Sequence, residues 1–250
     1  MNINFITGIP RSGTTILGEL VGMHPEIVEF NELTFLSFLN DSNYLLQLNI
    51  KSNEIDEVLF NNFKKITSKY IKDLYLEVGK LKNPNAKVII EKDPMLTACP
   101  HLIYEFFPES KIIHIVRDPI YVSESYKRFI DNLDNIDHKK IWGTYGDINL
   151  KDYAPHIRGV MAWIHYLKRF RDYNILNNNK NYLEINYSDF TNQTQDTISK
   201  IYNFFELNDF ILDKKTISKI DKTKLNISNY LSDSEIFEIK DLLNKNNIII

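Results

Sequence analysis

The sequence predicts an α/β fold, a single domain with a central parallel sheet flanked by helices. Short β-branched and aromatic runs alternate along the chain with longer segments of helical spacing. Such alternation favours a parallel sheet that helices cover on both faces. The 250 residues are enough for one domain with a substantial core. Because no change in composition marks a linker, we treat residues 1–250 as one unit.

The first predicted strand lies over residues 3–6, a short apolar run that ends at Gly8. A helix is predicted from Thr14, because apolar residues then recur on one face, and His24 and Pro25 end that pattern. The next predicted elements are a strand at 27–30, a helical region at 33–83 with breaks near 40–43 and 52–53, and a buried strand at 88–90.

Helical spacing over 95–107 stops near Pro108, and the run at 112–116 is the strongest strand signal of the chain. Asp118 can cap the helix that follows, and Pro119 suits its first turn. Residues 130–155 lack regular spacing and are predicted to form a loop or lid. The remaining predicted elements are a helix at 156–172, a strand at 182–185, a helix at 192–205 and, after a weakly patterned tail from 209, a helix at 233–245.

The segment between the first strand and the first helix reads Gly-Ile-Pro-Arg-Ser-Gly-Thr-Thr (residues 8–15). A strand, a glycine-containing turn and a helix N-terminus together point backbone N–H groups at an anion. The spacing from Gly8 to Gly13 is that of a Walker A loop. Thr14 replaces the lysine of that motif, and Arg11 supplies a basic side chain inside the loop. A triphosphatase needs the lysine on its β- and γ-phosphates, so the loop predicts a nucleotide other than a triphosphate.

Two further polar signals follow predicted strands, where an open parallel sheet binds its ligands. Lys92 and Asp93 follow the third strand, and Arg117 follows the fourth. Ser125 falls about two turns along the next helix, so Arg117 and Ser125 can close on one phosphate from two sides. Ser123 is the neighbouring alternative hydroxyl on the same helix.

These motifs resemble those of sulfotransferases that use 3′-phosphoadenosine 5′-phosphosulfate (PAPS). Residues 8–15 are similar to the 5′-phosphosulfate loop of that family, and Ile-Val-Arg-Asp-Pro-Ile-Tyr-Val-Ser-Glu-Ser (115–125) is similar to its 3′-phosphate motif. The resemblance covers roughly residues 3–205, is closest to the protein-tyrosine and carbohydrate branch, and implies a P-loop nucleotide-hydrolase-like fold. The other matching residues are His24-Pro25, Glu32, Lys92-Asp93-Pro94 and Asn186-Tyr187-Ser188-Asp189.

The resemblance implies roles in binding the donor PAPS and its product, adenosine 3′,5′-bisphosphate (PAP). Arg117 and Ser125 would hold the 3′-phosphate. Tyr187 lies where the family has a tyrosine near the nucleotide, although it could instead only pack or cap a turn. Arg11 would also neutralise charge that develops on the phosphate–sulfate bridge. The 5′-phosphosulfate itself would be held by the backbone of Ser12, Gly13, Thr14 and Thr15, together with the side chains of the two threonines.

The resemblance also implies catalytic roles, with Glu32 as general base for an acceptor hydroxyl and Lys92 stabilising the sulfuryl group during transfer. Small-molecule sulfotransferases have a catalytic histidine two residues after this lysine, where the present chain has Pro94. The base must therefore come from elsewhere, and Glu32 is the matching residue. Glu29 is a second carboxylate nearby. Lys92 and Asp93 could alternatively form only a salt bridge at the strand end.

The predicted function is transfer of a sulfuryl group from PAPS to a hydroxyl of a carbohydrate, a lipid-linked sugar, a small metabolite or a peptide tyrosine. Two alternatives stay open. One is a P-loop kinase or nucleotidase that uses ATP, for which residues 88–93 are a poor Walker B candidate. The other is a non-catalytic nucleotide-binding adaptor with the same fold. Acceptor specificity is expected in 33–83 and 130–155, and 209–250 has no family match.

The composition limits the possible binding partners and indicates the cellular compartment. A formal net charge of −3 gives no general affinity for nucleic acid. The six histidines and the single cysteine, Cys99, show no metal-ligand spacing, so no metal is expected. One cysteine cannot form an intrachain disulfide, and no signal-peptide pattern precedes the first strand, so we expect a cytoplasmic protein. No apolar run approaches the ~20 residues that span a bilayer.

Overall fold

The structure, a computed structural model, describes residues 1–33, 36, 57–133, 144–145, 148–150, 152–176, 180–218, 220 and 230–248. Its strands are β1 (Asn2–Thr7), β2 (Ile27–Asn31), β3 (Val88–Lys92), β4 (Ile112–Val116), β5 (Thr144–Tyr145), β6 (Ile148–Asn149) and β7 (Tyr182–Asn186). Its helices are α1 (Thr14–Val21), α2 (Glu57–Lys82), α3 (Pro100–Phe106), α4 (Pro119–Asp131), α5 (Pro155–Leu176), α6 (Tyr187–Asn192), α7 (Thr194–Phe204), α8 (Lys214–Ile217) and α9 (Asp233–Lys245).

The central sheet confirms the predicted α/β fold and all its predicted strands. Its five strands are parallel and lie in the order β2-β3-β1-β4-β7. Lys92 at the end of β3 lies between Ile6 of β1 and Asn31 of β2. The chain builds β2 and β3 on one side of β1 and then β4 and β7 on the other. The strand order therefore reverses beside β1, which is where open parallel sheets bind ligands.

Alternate residues of the central strands supply two apolar layers, one on each face of the sheet. Ile6 shares a buried cluster with Leu17 of α1 and Ile198 of α7. Phe5, its neighbour in the sequence, shares a different buried cluster with Phe170 of α5. Burial on both faces explains why the strands read as short continuous apolar runs rather than as alternating ones.

The prediction of one helix over 95–107 is wrong, because the segment contains a 3₁₀ helix (Pro94–Thr97) followed by α3. Pro100 has no N–H to continue a helix from the preceding turn, and it occupies the first position of α3. The side chain of Asp93 accepts a hydrogen bond from the amide of Met95 and caps the 3₁₀ helix, which is the capping role expected for this residue.

The helix α6 was missed by the sequence pattern. It begins directly after β7 because the side chain of Asn186 accepts a hydrogen bond of 2.8 Å from the amide of Ser188. Gln193, which has φ of −128° and ψ of 55°, interrupts the helical backbone. The helix predicted over 192–205 therefore starts at Thr194.

Parts of two predicted regions lie outside the described residues. In the predicted lid, β5 and β6 form an antiparallel pair, so the region is not wholly irregular, while 134–143, 146–147 and 151 are not among the described residues. In the region predicted as helical over 33–83, α2 confirms the second part. The predicted breaks near 40–43 and 52–53 are outside the described residues.

The tail from residue 209 packs into the same core, although its sequence has no family match. Leu212 lies in the buried cluster that contains α7, and Leu243 of α9 lies in a cluster with Val160 and Leu167 of α5. A capping box formed by Ser232 and Glu235 starts α9, which confirms the helix predicted over 233–245. The tail is therefore a structural part of the described fold.

Replacement of Leu243 by alanine tests whether α9 belongs to the cooperative core. Leu243 is 1% exposed, so Leu243→Ala should lower the free energy of unfolding by about 2–5 kcal/mol in urea titrations. Phe237 of the same helix is 72% exposed, and Phe237→Ala is the matched control with an expected change below about 0.5 kcal/mol. Equal effects of the two substitutions would mean that α9 unfolds independently.

Candidate active site

The candidate site lies along one edge of the sheet, where its five parallel strands end. In the order of the strands, the edge carries Glu32 after β2, Lys92 at the end of β3, the 8–13 loop after β1, Arg117 after β4 and Tyr187 after β7. Because parallel strands all end at the same edge, residues far apart in the sequence become neighbours there. The other sequence-predicted site residues lie on the helices that follow this row: Thr14 and Thr15 begin α1, and Ser125 lies on α4.

The loop after β1 has the backbone geometry of an anion site. A Cβ at Gly8 would lie 2.5 Å from the carbonyl oxygen of Ile115 in β4, so only glycine fits. Gly13 has a φ of 93° and precedes α1 without a side-chain cap, which leaves amides of the first helical turn for a ligand. The hydroxyl of Ser12 is buried and has no hydrogen-bond partner in the described structure.

Arg117 and Arg11 join this loop to α4. Arg117 is 8% exposed, its Nη1 donates to the carbonyl oxygen of Arg11 at 3.2 Å, and its guanidinium lies 4.4 Å from the ring centre of Tyr187. The Nε of Arg11 donates to the hydroxyl of Ser125 at 3.2 Å, and its guanidinium lies over the Phe129 ring. Ser125 rather than Ser123 thus faces the loop, and Ser123 is fully buried where α4 meets Gly159.

The two guanidinium groups create a positive site. Burial lowers the pKa of both, and the nearby positive charge of Arg117 lowers the pKa of Arg11 further. An anion bound between them would offset this repulsion and restore the solvation that burial removes. Phosphate suits such a pair because each guanidinium can donate two parallel hydrogen bonds to it.

Lys92 and Glu32 form the other end of the site. The side chain of Lys92 is 1% exposed, and its Nζ lies 2.5 Å from Oε1 of Glu32 and 3.4 Å from the hydroxyl of Thr15. Lys92 therefore bridges the start of α1 and the loop after β2. The carboxylate of Glu32 is 52% exposed, so a molecule from solvent can reach it. The strand-end salt bridge of Lys92 is with Glu32, while Asp93 caps the next turn.

Glu29, the second carboxylate considered from the sequence, lies near Lys92, but the ion pair of Lys92 is with Glu32. It packs beneath α1, where its Oε1 would be 2.6 Å from a Cβ at Gly18, and its Cβ would be 3.0 Å from one at Gly22. Burial raises the pKa of Glu29. The carboxylate that pairs with Lys92 at the open edge is therefore that of Glu32.

One supporting residue was not assigned to the site from the sequence. Trp163 of α5 is 7% exposed, and its indole N–H donates to the carbonyl oxygen of Arg117 at 2.8 Å. This bond fixes the backbone that carries the arginine. Helical spacing indicates only that Trp163 is buried, and its partner is visible only once α5 is packed on α4.

The described residues contain no cluster of three or more histidine, cysteine or acidic side chains that could hold a metal ion. Within the same part of the chain, no helix is both long and apolar enough to cross a lipid bilayer.

Comparison with known proteins identifies the family. The family model described as "Sulfotransferase family" matches residues 4–210, a span that contains the whole strand-end row. The chain belongs to the sulfotransferase family. A protein-tyrosine sulfotransferase of Drosophila melanogaster is 27% identical over 119 residues, which are 47% of this chain and 23% of that relative. The aligned part thus spans less than a quarter of the relative's length.

Solved sulfotransferases share the fold. The sulfotransferase domain from the curacin biosynthetic pathway has a TM-score of 0.60 at 16% identity, with 100% of this chain and 98% of that one covered. A sulfotransferase from Alicyclobacillus acidocaldarius has a TM-score of 0.61 at 15% identity, with 98% and 92% covered. A mouse sulfotransferase complexed with PAP has a TM-score of 0.50 at 14% identity, with 98% and 84% covered. At these identities the likeness concerns the fold, which is P-loop-like.

Substitution of Gly13 tests the geometry of the loop. Alanine at this position would adopt an unfavourable φ and place its Cβ 2.5 Å from Cε2 of Tyr187. We expect Gly13→Ala to lower the free energy of unfolding by about 1–3 kcal/mol in urea titrations. Ser12→Ala is the control, because the hydroxyl it removes has no partner in the described structure. Equal stability of the two variants would contradict the described loop.

Proposed function

We propose that this sulfotransferase-family protein moves a sulfuryl group from PAPS to an acceptor hydroxyl. One observation carries the proposal: Lys92 contacts the start of the phosphate loop helix and the exposed carboxylate of Glu32 at the same time. A group held by the loop and a hydroxyl held by Glu32 would therefore meet at the Lys92 ammonium. Arg117 and Ser125 on the other side of the loop supply a second anion site, and Arg11, a residue of the loop itself, contacts both of them.

The residues present fit a nucleotide with phosphates at both ends. The buried hydroxyl of Ser12 without a partner, the glycine-only turn and the uncapped start of α1 suit the 5′-phosphosulfate. Arg117 and Ser125 suit the 3′-phosphate, with Tyr187 against the Arg117 guanidinium. Arg11 lies on the Ser125 side of the loop, and Lys92 lies on the Glu32 side. The mouse sulfotransferase complexed with PAP supports this choice of nucleotide.

Sulfuryl transfer requires the protein mainly to align the donor with the acceptor and to neutralise the negative charge that develops. PAPS supplies an activated sulfuryl group on a phosphosulfate anhydride. Glu32 orients the acceptor hydroxyl and takes its proton as the acceptor oxygen bonds to sulfur and the sulfur–oxygen bond to the 5′-phosphate breaks. Lys92 neutralises negative charge on the sulfuryl oxygens, and Arg11 neutralises negative charge on the departing phosphate.

The acceptor class is proposed as a hydroxyl of a carbohydrate, a lipid-linked sugar, a small metabolite or a peptide tyrosine. The Drosophila relative bears the name protein-tyrosine sulfotransferase, so a tyrosine peptide belongs in the first acceptor panel. We also propose a cytoplasmic location, because the only cysteine of the chain cannot form an intrachain disulfide.

Arginine substitutions test the nucleotide assignment. Arg11→Ala and Arg117→Ala should each weaken the binding of PAP by about tenfold to a hundredfold in calorimetry, because each removes hydrogen bonds between charged groups. Lys69→Ala is the control for loss of one positive charge, since its side chain is 78% exposed on α2. Unchanged affinity in both arginine variants would remove the PAPS assignment.

Glutamate substitutions test the base. Glu32→Gln should keep the affinity for PAP and lower kcat by about 10²–10⁴-fold, measured as PAP released from PAPS with an acceptor panel. Glu29→Gln is the matched control and should retain kcat, since Glu29 packs beneath α1. A loss confined to Glu29→Gln would contradict the assignment of Glu32. Tight PAP binding without turnover of any acceptor would favour the adaptor alternative.

A further inference from the structure

Glu91 is a buried carboxylate that the proposed reaction does not use. It directly precedes Lys92 in β3, so its side chain points to the opposite face of the sheet. Glu91 is 1% exposed. Its Oε1 accepts a hydrogen bond of 2.8 Å from the backbone amide of Leu33, and its Oε2 accepts one of 3.0 Å from the hydroxyl of Tyr75. Tyr75 belongs to α2 and is also 1% exposed.

The amide that Glu91 binds belongs to the residue directly after Glu32. Glu32 itself has a φ of 52°, in the left-handed region that is unfavourable for a residue with a side chain. Its own amide donates to the carbonyl oxygen of Lys92 at 2.9 Å. The backbone is thus tied to β3 on both sides of the Glu32 Cα, by Lys92 before it and by Glu91 after it.

Helix capping does not explain the left-handed backbone conformation of Glu32. Among the described residues, the non-glycine positions with positive φ are Arg11, Glu32, Glu206 and Asn247. Glu206 and Asn247 lie just after α7 and α9, where helices commonly end in this conformation. The other two positions, Arg11 and Glu32, both lie in the candidate site. Strain of this kind persists where surrounding contacts enforce it.

A buried glutamate at position 91 is less favourable than an apolar residue if the side chain only fills space in the core. Its neighbours in β3 include Ile89 and Ile90, which show that apolar residues suit this strand. Burial raises the pKa of Glu91 to about 7, while the hydrogen bonds from Leu33 and Tyr75 oppose that shift. A carboxylate here accepts the hydrogen bonds of the Leu33 amide and the Tyr75 hydroxyl, which an apolar side chain cannot accept.

We propose that Glu91 is a positioning residue for the catalytic base. Its carboxylate, supported by the Tyr75 hydroxyl, holds the Leu33 amide and so keeps Glu32 in the left-handed conformation that presents its carboxylate to Lys92. The expected change in kcat rests on the proposed function, whereas the expected change in the backbone at residues 32–33 does not. The simpler alternative is that Glu91 only satisfies a buried tyrosine hydroxyl.

Methionine and glutamine at position 91 separate the two accounts. Glu91→Met keeps the approximate length and removes the acceptor, whereas Glu91→Gln keeps an oxygen for the Leu33 amide and a polar partner for Tyr75. Per folded molecule, Glu91→Met should lower kcat by about 10- to 100-fold with unchanged PAP affinity, and Glu91→Gln should restore kcat to within about threefold of the parent. Circular dichroism at the assay temperature gives the folded fraction.

A double-mutant cycle shows whether Glu91 acts through Glu32. In the Glu32→Gln background, Glu91→Met should cause almost no further loss of kcat, because the base it positions is already absent. A full additional loss in that background would overturn the proposal. So would a kcat for Glu91→Met equal to that of the parent protein, or a loss that appears in PAP affinity instead.

A readout without turnover keeps the inference independent of the proposed reaction. Amide hydrogen exchange at Leu33 should be slow in the parent and in Glu91→Gln, and fast in Glu91→Met. A crystal structure of Glu91→Met should show Glu32 released from positive φ and its contact with Lys92 lost. An unchanged backbone at residues 32–33 would overturn the positioning role even if no acceptor is ever turned over. Absence of turnover in the parent protein with slow exchange at Leu33 would instead count against the proposed function alone.

Discussion

The buried ammonium of Lys92 is the constraint around which the site is built. A charge that is 1% exposed costs several kcal/mol of solvation unless close partners compensate it. The partners come from two different connections, Glu32 after β2 and Thr15 at the start of α1. Both are within reach because β3 lies between β2 and β1, with Lys92 level with Asn31 and Ile6. The strand order thus determines which groups can compensate the buried charge of Lys92.

The arginine half of the site depends on the other neighbour of β1. β4 approaches β1 so closely that position 8 accepts only glycine, and this contact places Arg117 beside the loop. Trp163 and Tyr187 then fix the Arg117 backbone and guanidinium, respectively. Both halves carry backbone strain, at Arg11 and at Glu32. The strain coincides with the side chains to which we assign the chemistry, and the sheet edge supplies the rigid support that maintains it.

The sequence was most informative where a motif is local. The Gly8–Gly13 spacing, Arg117 at a strand end and Ser125 on the next helix lie within short stretches, so their type and order could be read directly. The pairing of Lys92 with Glu32 was not predicted, because it depends on the strand order. The family resemblance supplied only separate roles for the two residues. The bonds of Glu91 and Trp163 could not be predicted, because burial signals give no information about partners across the core. The errors in the helices arose at Pro100, which has no N–H to continue a helix, at Asn186, whose side chain caps a helix that the pattern missed, and at Gln193, which interrupts the helical backbone.

We propose that one edge of the sheet holds both ends of a single nucleotide next to a carboxylate base. A crystal structure of the protein with PAP tests it most directly. The account predicts the 5′-phosphate at the backbone amides of residues 12–15, the 3′-phosphate at Arg117 and Ser125, and Glu32 facing the open space beside the 5′-phosphate. PAP bound elsewhere, or either arginine turned away from both phosphates, would contradict it.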